Sequence, residues 1–127
     1  MNENKIKVLI VDDYASIRKV IRNLLKQSGY KDIVEAEDGV MALRTLKSQK
    51  IDIVVSDWNM PNMSGLELLK AVRADPDLAK MPFLMITAEA LHDNVVAAVK
   101  AGVSNYIVKP FTAEILHEKI KRIMDNL

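Results

Sequence analysis

Two rhythms of apolar and polar positions alternate along the chain. Short aliphatic runs rich in β-branched residues, Ile6–Val11, Ile33–Ala36, Ile51–Val55, Phe83–Ile86 and Asn105–Val108, predict buried strands. Between them, apolar residues recur three and four positions apart, the period of an amphipathic helix. The first helix carries Ile17, Val20, Ile21, Leu24 and Leu25 on one side and Arg18, Lys19, Arg22, Asn23 and Lys26 on the other, with Gly29 as its C′ residue. Asp38-Gly39 opens the second, whose inner face is Ala42, Leu43 and Leu46. Ser64 and Glu67 form a capping box for the third, which runs over Leu66, Leu69 and Val72 and stops before Asp75-Pro76. The fourth spans about Leu91 to Ala101 and is closed by Gly102. Thr112 caps the fifth, Glu114 complements its dipole, and its stripe is Leu116, Ile120, Ile123, Met124 and Leu127.

Strand and helix alternate five times, which predicts an α/β fold, a doubly wound five-stranded parallel sheet with helices on both faces. Right-handed crossovers place all five strand carboxyl ends on one edge, where open α/β sheets bind ligands. Asp12-Asp13, Asp57, Thr87 and Lys109 each lie at or just past a strand end, from four different strands. Singly, each has an ordinary explanation: helix caps for Asp12-Asp13 and Thr87, a turn former for Asp57, a solvated lysine for Lys109. Together they predict a shared site. With strand order 2-1-3-4-5, strands one and three are neighbours, so Asp12, Asp13 and Asp57 cluster. Clustered carboxylates repel unless a cation intervenes. Mg²⁺ suits them, because it takes hard oxygen ligands and commonly uses one or two carboxylates with a phosphate.

Composition narrows the chemistry. The 127 residues suffice for one domain (1–127), and the net charge of +1 gives no support to nucleic acid or a membrane surface as a partner. There is no cysteine, and the polar start shows neither signal peptide nor membrane span, so a cytoplasmic protein is expected. No G-x-x-x-x-G-K-[ST] segment binds a nucleotide, so phosphoryl transfer to the protein itself fits best, with Asp57 as acceptor and Lys109 offsetting its charge. The Thr87 hydroxyl and nearby backbone N–H groups can bond the remaining phosphoryl oxygens. Trp58, the single tryptophan, adjoins Asp57 and should report on the site. Met41, Met60, Met63, Met81, Met85 and Met124 read as core filler.

Six segments together resemble the receiver domains of two-component response regulators, most of all the single-domain chemotaxis members. They are Val8–Asp13, Glu35–Gly39, Ser56–Met63, Gly65–Lys70, Ile86–Ala90 and Val108–Thr112, and the likeness covers the whole chain. The resemblance implies a flavodoxin-like fold with no effector domain and self-directed phosphorylation chemistry in place of enzymatic turnover. It also implies that Asp57 is the phosphoacceptor. Asp13, Asp57 and the Asn59 carbonyl would hold Mg²⁺, with Asp12 acting through water. Thr87, the Ala88 N–H and Lys109 would grip the phosphoryl oxygens, Thr87 and Tyr106 would switch, and the bond before Pro110 would be cis. Asn59 and Glu89 match positions that influence loss of the phosphoryl group. Ser64-Gly65 replaces the family's usual Asp-Gly. Tyr14 departs from the pattern beside the acid pocket and could narrow it, and Leu91-His92-Asp93 replaces a charged start of helix four.

The expected partners are a sensor histidine kinase as phosphodonor, a target such as the flagellar motor switch, and a phosphatase, with the protein itself a monomer. Phosphorylation would bias a two-state equilibrium and reshape the face made by helix four, strand five and helix five, with Ala90, Val95, Val99, Tyr106, Lys119 and Arg122 as candidate contacts. The alternatives are a phosphorelay intermediate or phosphate sink without a motor target, and an Asp-nucleophile phosphohydrolase. The hydrolase would usually need an acid/base where this chain has Asn59. A flavin carrier could share the fold, but Asp12 and Asp13 would repel its phosphate.

Overall fold

The computed structural model describes residues 2–88 and 92–127. Five parallel strands, β1 (Lys7–Val11), β2 (Asp32–Ala36), β3 (Ile53–Asp57), β4 (Phe83–Thr87) and β5 (Asn105–Val108), form one sheet in the order 2-1-3-4-5. Five helices connect and follow them: α1 (Ala15–Gln27), α2 (Gly39–Ser48), α3 (Gly65–Ala74), α4 (His92–Lys100) and α5 (Ala113–Asp125). A 3₁₀ turn over Glu3–Lys5 precedes β1, and its closing bond from the Ile6 N–H to Glu3 O keeps Ile6 out of the strand expected to begin there. Among the described residues no helix is long and apolar enough to cross a membrane.

Residue parity along the central strands separates two cores, because successive strand side chains point to opposite faces. Val8 and Ile10, Ile53 and Val55, and Leu84 and Ile86 pack against α1 and α5 through Ile21, Leu25, Leu116, Ile120 and Ile123. Leu9 and Val11, Val54, and Phe83 and Met85 pack against α2 and α3 through Ala42, Leu46, Leu68, Leu69 and Val72. Burial on both faces accounts for the near-continuous apolar runs of β1, β3 and β4.

The caps form where the sequence places them. Ser64 and Glu67 complete the capping box of α3. Asp38 accepts from the Met41 N–H, Thr112 accepts from the Ile115 N–H, and Gly29 has the positive φ of +97° that a C′ residue needs. Four apolar expectations fail at the margins of stripes. Val20 is 54% exposed, because three residues past Ile17 it falls at the edge of the α1 stripe. Leu127 lies beyond the end of α5, and Met41 sits exposed in the first turn of α2. In α3 it is Leu68 that is fully buried, while Leu66 is half-buried. The remaining methionines pack as expected: Met85 is buried, while Met60, Met63, Met81 and Met124 are partly buried against the cores.

Candidate functional site

The carboxyl edge of the sheet carries the acidic residues. Asp12 directly follows β1, and nearly all of its polar atoms are used: its N–H donates to Ala36 O (3.2 Å), its carbonyl accepts from Arg18 Nη1 (2.6 Å), and Oδ1 accepts from the Tyr14 N–H (2.9 Å). Oδ2 is buried and has no partner among the described residues, and the same holds for Oδ1 of Asp13. Asp57 ends β3, is 8% exposed, and pairs through Oδ1 with Lys109 Nζ at 3.1 Å. Lys109 follows β5, and its N–H is bonded to Thr87 O (2.8 Å), which ties the ends of β4 and β5 together. The Lys109–Pro110 bond is cis.

Ligand oxygens from Asp12, Asp13 and Asp57 lie within 4.8 Å of one another. At an effective dielectric near 20, two charges at that spacing repel by about 3 kcal/mol, whereas a helix N-cap contributes about 1 kcal/mol. The cap explanation also fails on geometry, since α1 begins without a side-chain cap. Burial raises the pKa of Asp12, and the charges of Asp57 and Asp13 add to that rise against the lowering effects of the Tyr14 N–H and Lys109. Two buried, unpartnered carboxylate oxygens beside a third carboxylate fit a hard divalent cation such as Mg²⁺.

An open cleft of about 540 Å³ lies over the cluster, bordered by Tyr14, Asn59, Pro61 and Lys109. The structure thus brings Asp12, Asp13, Asp57, Asn59 and Lys109 together. Tyr14 is 64% exposed on the rim. Thr87 is one residue past Ile86, the β4 partner of Asp57, and is buried. It borders a second, smaller cavity with Trp58, Met85, Val95 and Tyr106. Ala88 is exposed beside it. Of the expected contact face, Val99 is 62% exposed, Val95 and Tyr106 are half-buried, and Lys119 Nζ sits 5.9 Å from the Tyr106 ring centroid. Arg122 is exposed and bonded to Glu118. Glu89 and Ala90 lie outside the described residues.

One group departs from the sequence expectation. Arg18 and Arg22 do not belong to a solvated face of α1, for both grip Glu35 of β2, Arg18 through Nε at 2.9 Å and Arg22 through Nη2 at 2.8 Å. Burial pushes the Glu35 carboxyl up, but hydrogen bonds and charge from the two arginines outweigh it and hold the group below the usual glutamate range. The sequence signal was two arginines four apart, on one helical face, with an acid on an edge strand.

Comparison with known proteins agrees with this geometry. A profile of the response regulator receiver domain matches residues 8–121. The chain is 50% identical over 121 residues to the chemotaxis protein CheY of Pseudomonas aeruginosa, covering 95% of this chain and 98% of that one. It is 50% identical over 127 residues to the chemotaxis protein CheY-3 of Vibrio cholerae, covering 100% and 97%. The solved structure of CheY4 of Vibrio cholerae superposes with a TM-score of 0.85 at 36% identity, covering 93% of this chain and 98% of that one. The receiver domain of a sensor histidine kinase from Pseudomonas aeruginosa, solved with a magnesium ion coordinated in its active-site cleft, superposes with a TM-score of 0.84 at 27% identity, covering 94% and 97%.

Proposed function

The chain belongs to the response regulator receiver family of two-component systems, and from that membership we propose that it is a chemotaxis regulator phosphorylated on Asp57. The carrying observation is the Asp57 carboxylate, held 3.1 Å from Lys109 Nζ beside two unpartnered acidic oxygens. An oxygen of Asp57 attacks the phosphorus of a phosphohistidine on a sensor kinase. The new P–O bond forms as the P–N bond breaks, and the imidazole leaves with a proton from solvent. The Lys109 ammonium stays with the transferred group and neutralises part of its charge, while the Thr87 hydroxyl and Ala88 N–H bond its oxygens. Asp13, Asp57 and the Asn59 carbonyl, with Asp12 behind them, would hold Mg²⁺, whose positive charge would let a dianionic phosphoryl group enter the acidic cup. Water later hydrolyses the acyl phosphate, and Asn59 and Glu89 influence how fast.

Capture of the phosphoryl group draws Thr87 toward it, and Tyr106 turns into the space that Thr87 vacates in the cavity they share. The face formed by α4, β5 and α5 then presents Val95, Val99, Tyr106, Lys119 and Arg122 to a target, for which the flagellar motor switch is the candidate. A phosphatase would complete the cycle.

The test is incubation with acetyl phosphate, with and without Mg²⁺, read by intact mass. Wild type should gain one phosphoryl group only with Mg²⁺, and Asp57→Asn should gain none. Labelling of Asp57→Asn at the wild-type level would overturn the assignment. Capture of a motor-switch peptide by the phosphorylated form alone would separate a motor regulator from a phosphate sink.

A further inference from the structure

We propose that Arg18 is a positioning residue for the acidic pair: its guanidinium, anchored by Glu35, holds the Asp12 peptide so that the unpartnered oxygens of Asp12 and Asp13 face a shared divalent cation. The inference rests on the magnesium-dependent reading of the cleft and adds to it a group that touches neither cation nor phosphate.

The geometry carries it in three steps. The bond from Arg18 Nη1 to the Asp12 carbonyl, at 2.6 Å, fixes the plane of the Asp12–Asp13 peptide, and so the direction from which the Asp13 side chain departs. The Ala36 carbonyl and Tyr14 N–H hold Asp12 at two further points, which leaves Oδ2 as the oxygen available to a ligand. Arg18 in turn cannot swing away, because its side chain is only 15% exposed and its Nε is bonded to Glu35 Oε1 at 2.9 Å. One planar guanidinium serves both partners in two directions, which a lysine ammonium on a flexible stem does not reproduce. The ion pair of Arg18 is with Glu35, so its influence on the cleft passes through the Asp12 peptide, unlike that of Lys109, which pairs with Asp57 directly.

Arg22 is a built-in control. It grips the same glutamate (Nε to Oε2, 2.9 Å) and the carbonyl of Ile33 (3.3 Å), which precedes Glu35 on β2, whereas Asp12 meets Ala36, which follows it. A purely structural role for the network predicts equal consequences from losing either arginine. A positioning role predicts that magnesium affinity depends on Arg18 alone.

The experiment is a titration of the full chain with magnesium chloride, followed by Trp58 fluorescence and calorimetry, with thermal unfolding in a chelator run in parallel. Groups behind metal ligands typically contribute about 10-fold or more to affinity, so Arg18→Ala should weaken magnesium binding by about 10-fold. Its labelling by acetyl phosphate should return toward the wild-type rate at saturating magnesium. Arg22→Ala should lower the unfolding midpoint comparably yet keep affinity within about 2-fold, on the same scale. Arg18→Lys should not restore binding, and Glu35→Gln should fall between the two arginine variants. Wild-type affinity in folded Arg18→Ala, or an equal loss in Arg22→Ala, overturns the proposal. Should Arg18→Ala not fold, Arg18→Lys decides, and wild-type affinity there overturns it. A wild type whose fluorescence and heat ignore magnesium sinks the cation reading together with this inference; wild-type magnesium affinity in the Arg18 variants sinks the inference alone.

Discussion

The two edges of the sheet are built from the same five strands and treat their polar groups in opposite ways. At the amino edge, buried groups are satisfied within the protein. The hydroxyl of Tyr30, a fully buried residue, lies 3.0 Å from His117 Nδ1, the two rings meet edge-on at 5.7 Å, and His117 Nε2 lies 3.7 Å from Glu3. Asp52 accepts from the Lys7 N–H and Ser104 from the Phe83 N–H. At the carboxyl edge, Asp12 Oδ2 and Asp13 Oδ1 are buried without partners among the described residues, and three carboxylates crowd together. A satisfied edge stabilises the fold, whereas an unsatisfied one costs stability and is retained where a ligand completes it.

The contrast can be broken most forcefully at the amino edge. Tyr30→Ala should lose about 3–5 kcal/mol in urea unfolding, from the cavity left by a fully buried ring. Tyr30→Phe, which removes only the hydroxyl, should lose about 1 kcal/mol. At the carboxyl edge the sign should reverse. Asp13→Asn, measured in a chelator, should gain about 1 kcal/mol by relieving repulsion, and the stabilisation that magnesium gives wild type should vanish. Destabilisation by Asp13→Asn would erase the difference between the edges.

Stability should also respond to pH through different groups. Burial, helped by Glu3, raises the Tyr30 pKa well above its usual 10, so in alkali the unfolded chain ionises first. Stability is therefore present below that value and falls as pH rises past it, and Tyr30→Phe should flatten the fall. Glu35 is held below its usual 4.5, so in acid the unfolded chain takes up the proton first. Its contribution is present above that value and is lost as pH falls through the lower folded one. Glu35→Gln should remove that acid-side slope, the smallest of these effects.

What periodicity can express was legible: five strands, their helices, the caps at Ser64 and Thr112, and the convergence of Asp12, Asp13, Asp57 and Lys109 on one edge. Each follows from local pattern plus crossover handedness. What it cannot express is which residue at the edge of a stripe turns inward. Val20 and Leu66 were misplaced for that reason, each lying at the margin of an apolar arc. Contacts between distant segments were also hidden. The Tyr30–His117 bond spans 87 residues with no repeating pattern to announce it. Arg18 and Arg22 look like any solvated basic pair until β2 brings Glu35 alongside.

Gly65 opens α3 with no side chain, and a methyl group there would run into the Asp57 carbonyl oxygen. Its N–H is bonded to the Trp58 carbonyl at 2.8 Å. Helix α3 is in this way riveted to the tip of β3 and acts as a fixed abutment on that flank. Any displacement generated at the Asp57 carboxylate has firm backing on one side, and the compliant direction runs sideways along the sheet toward β4 and β5.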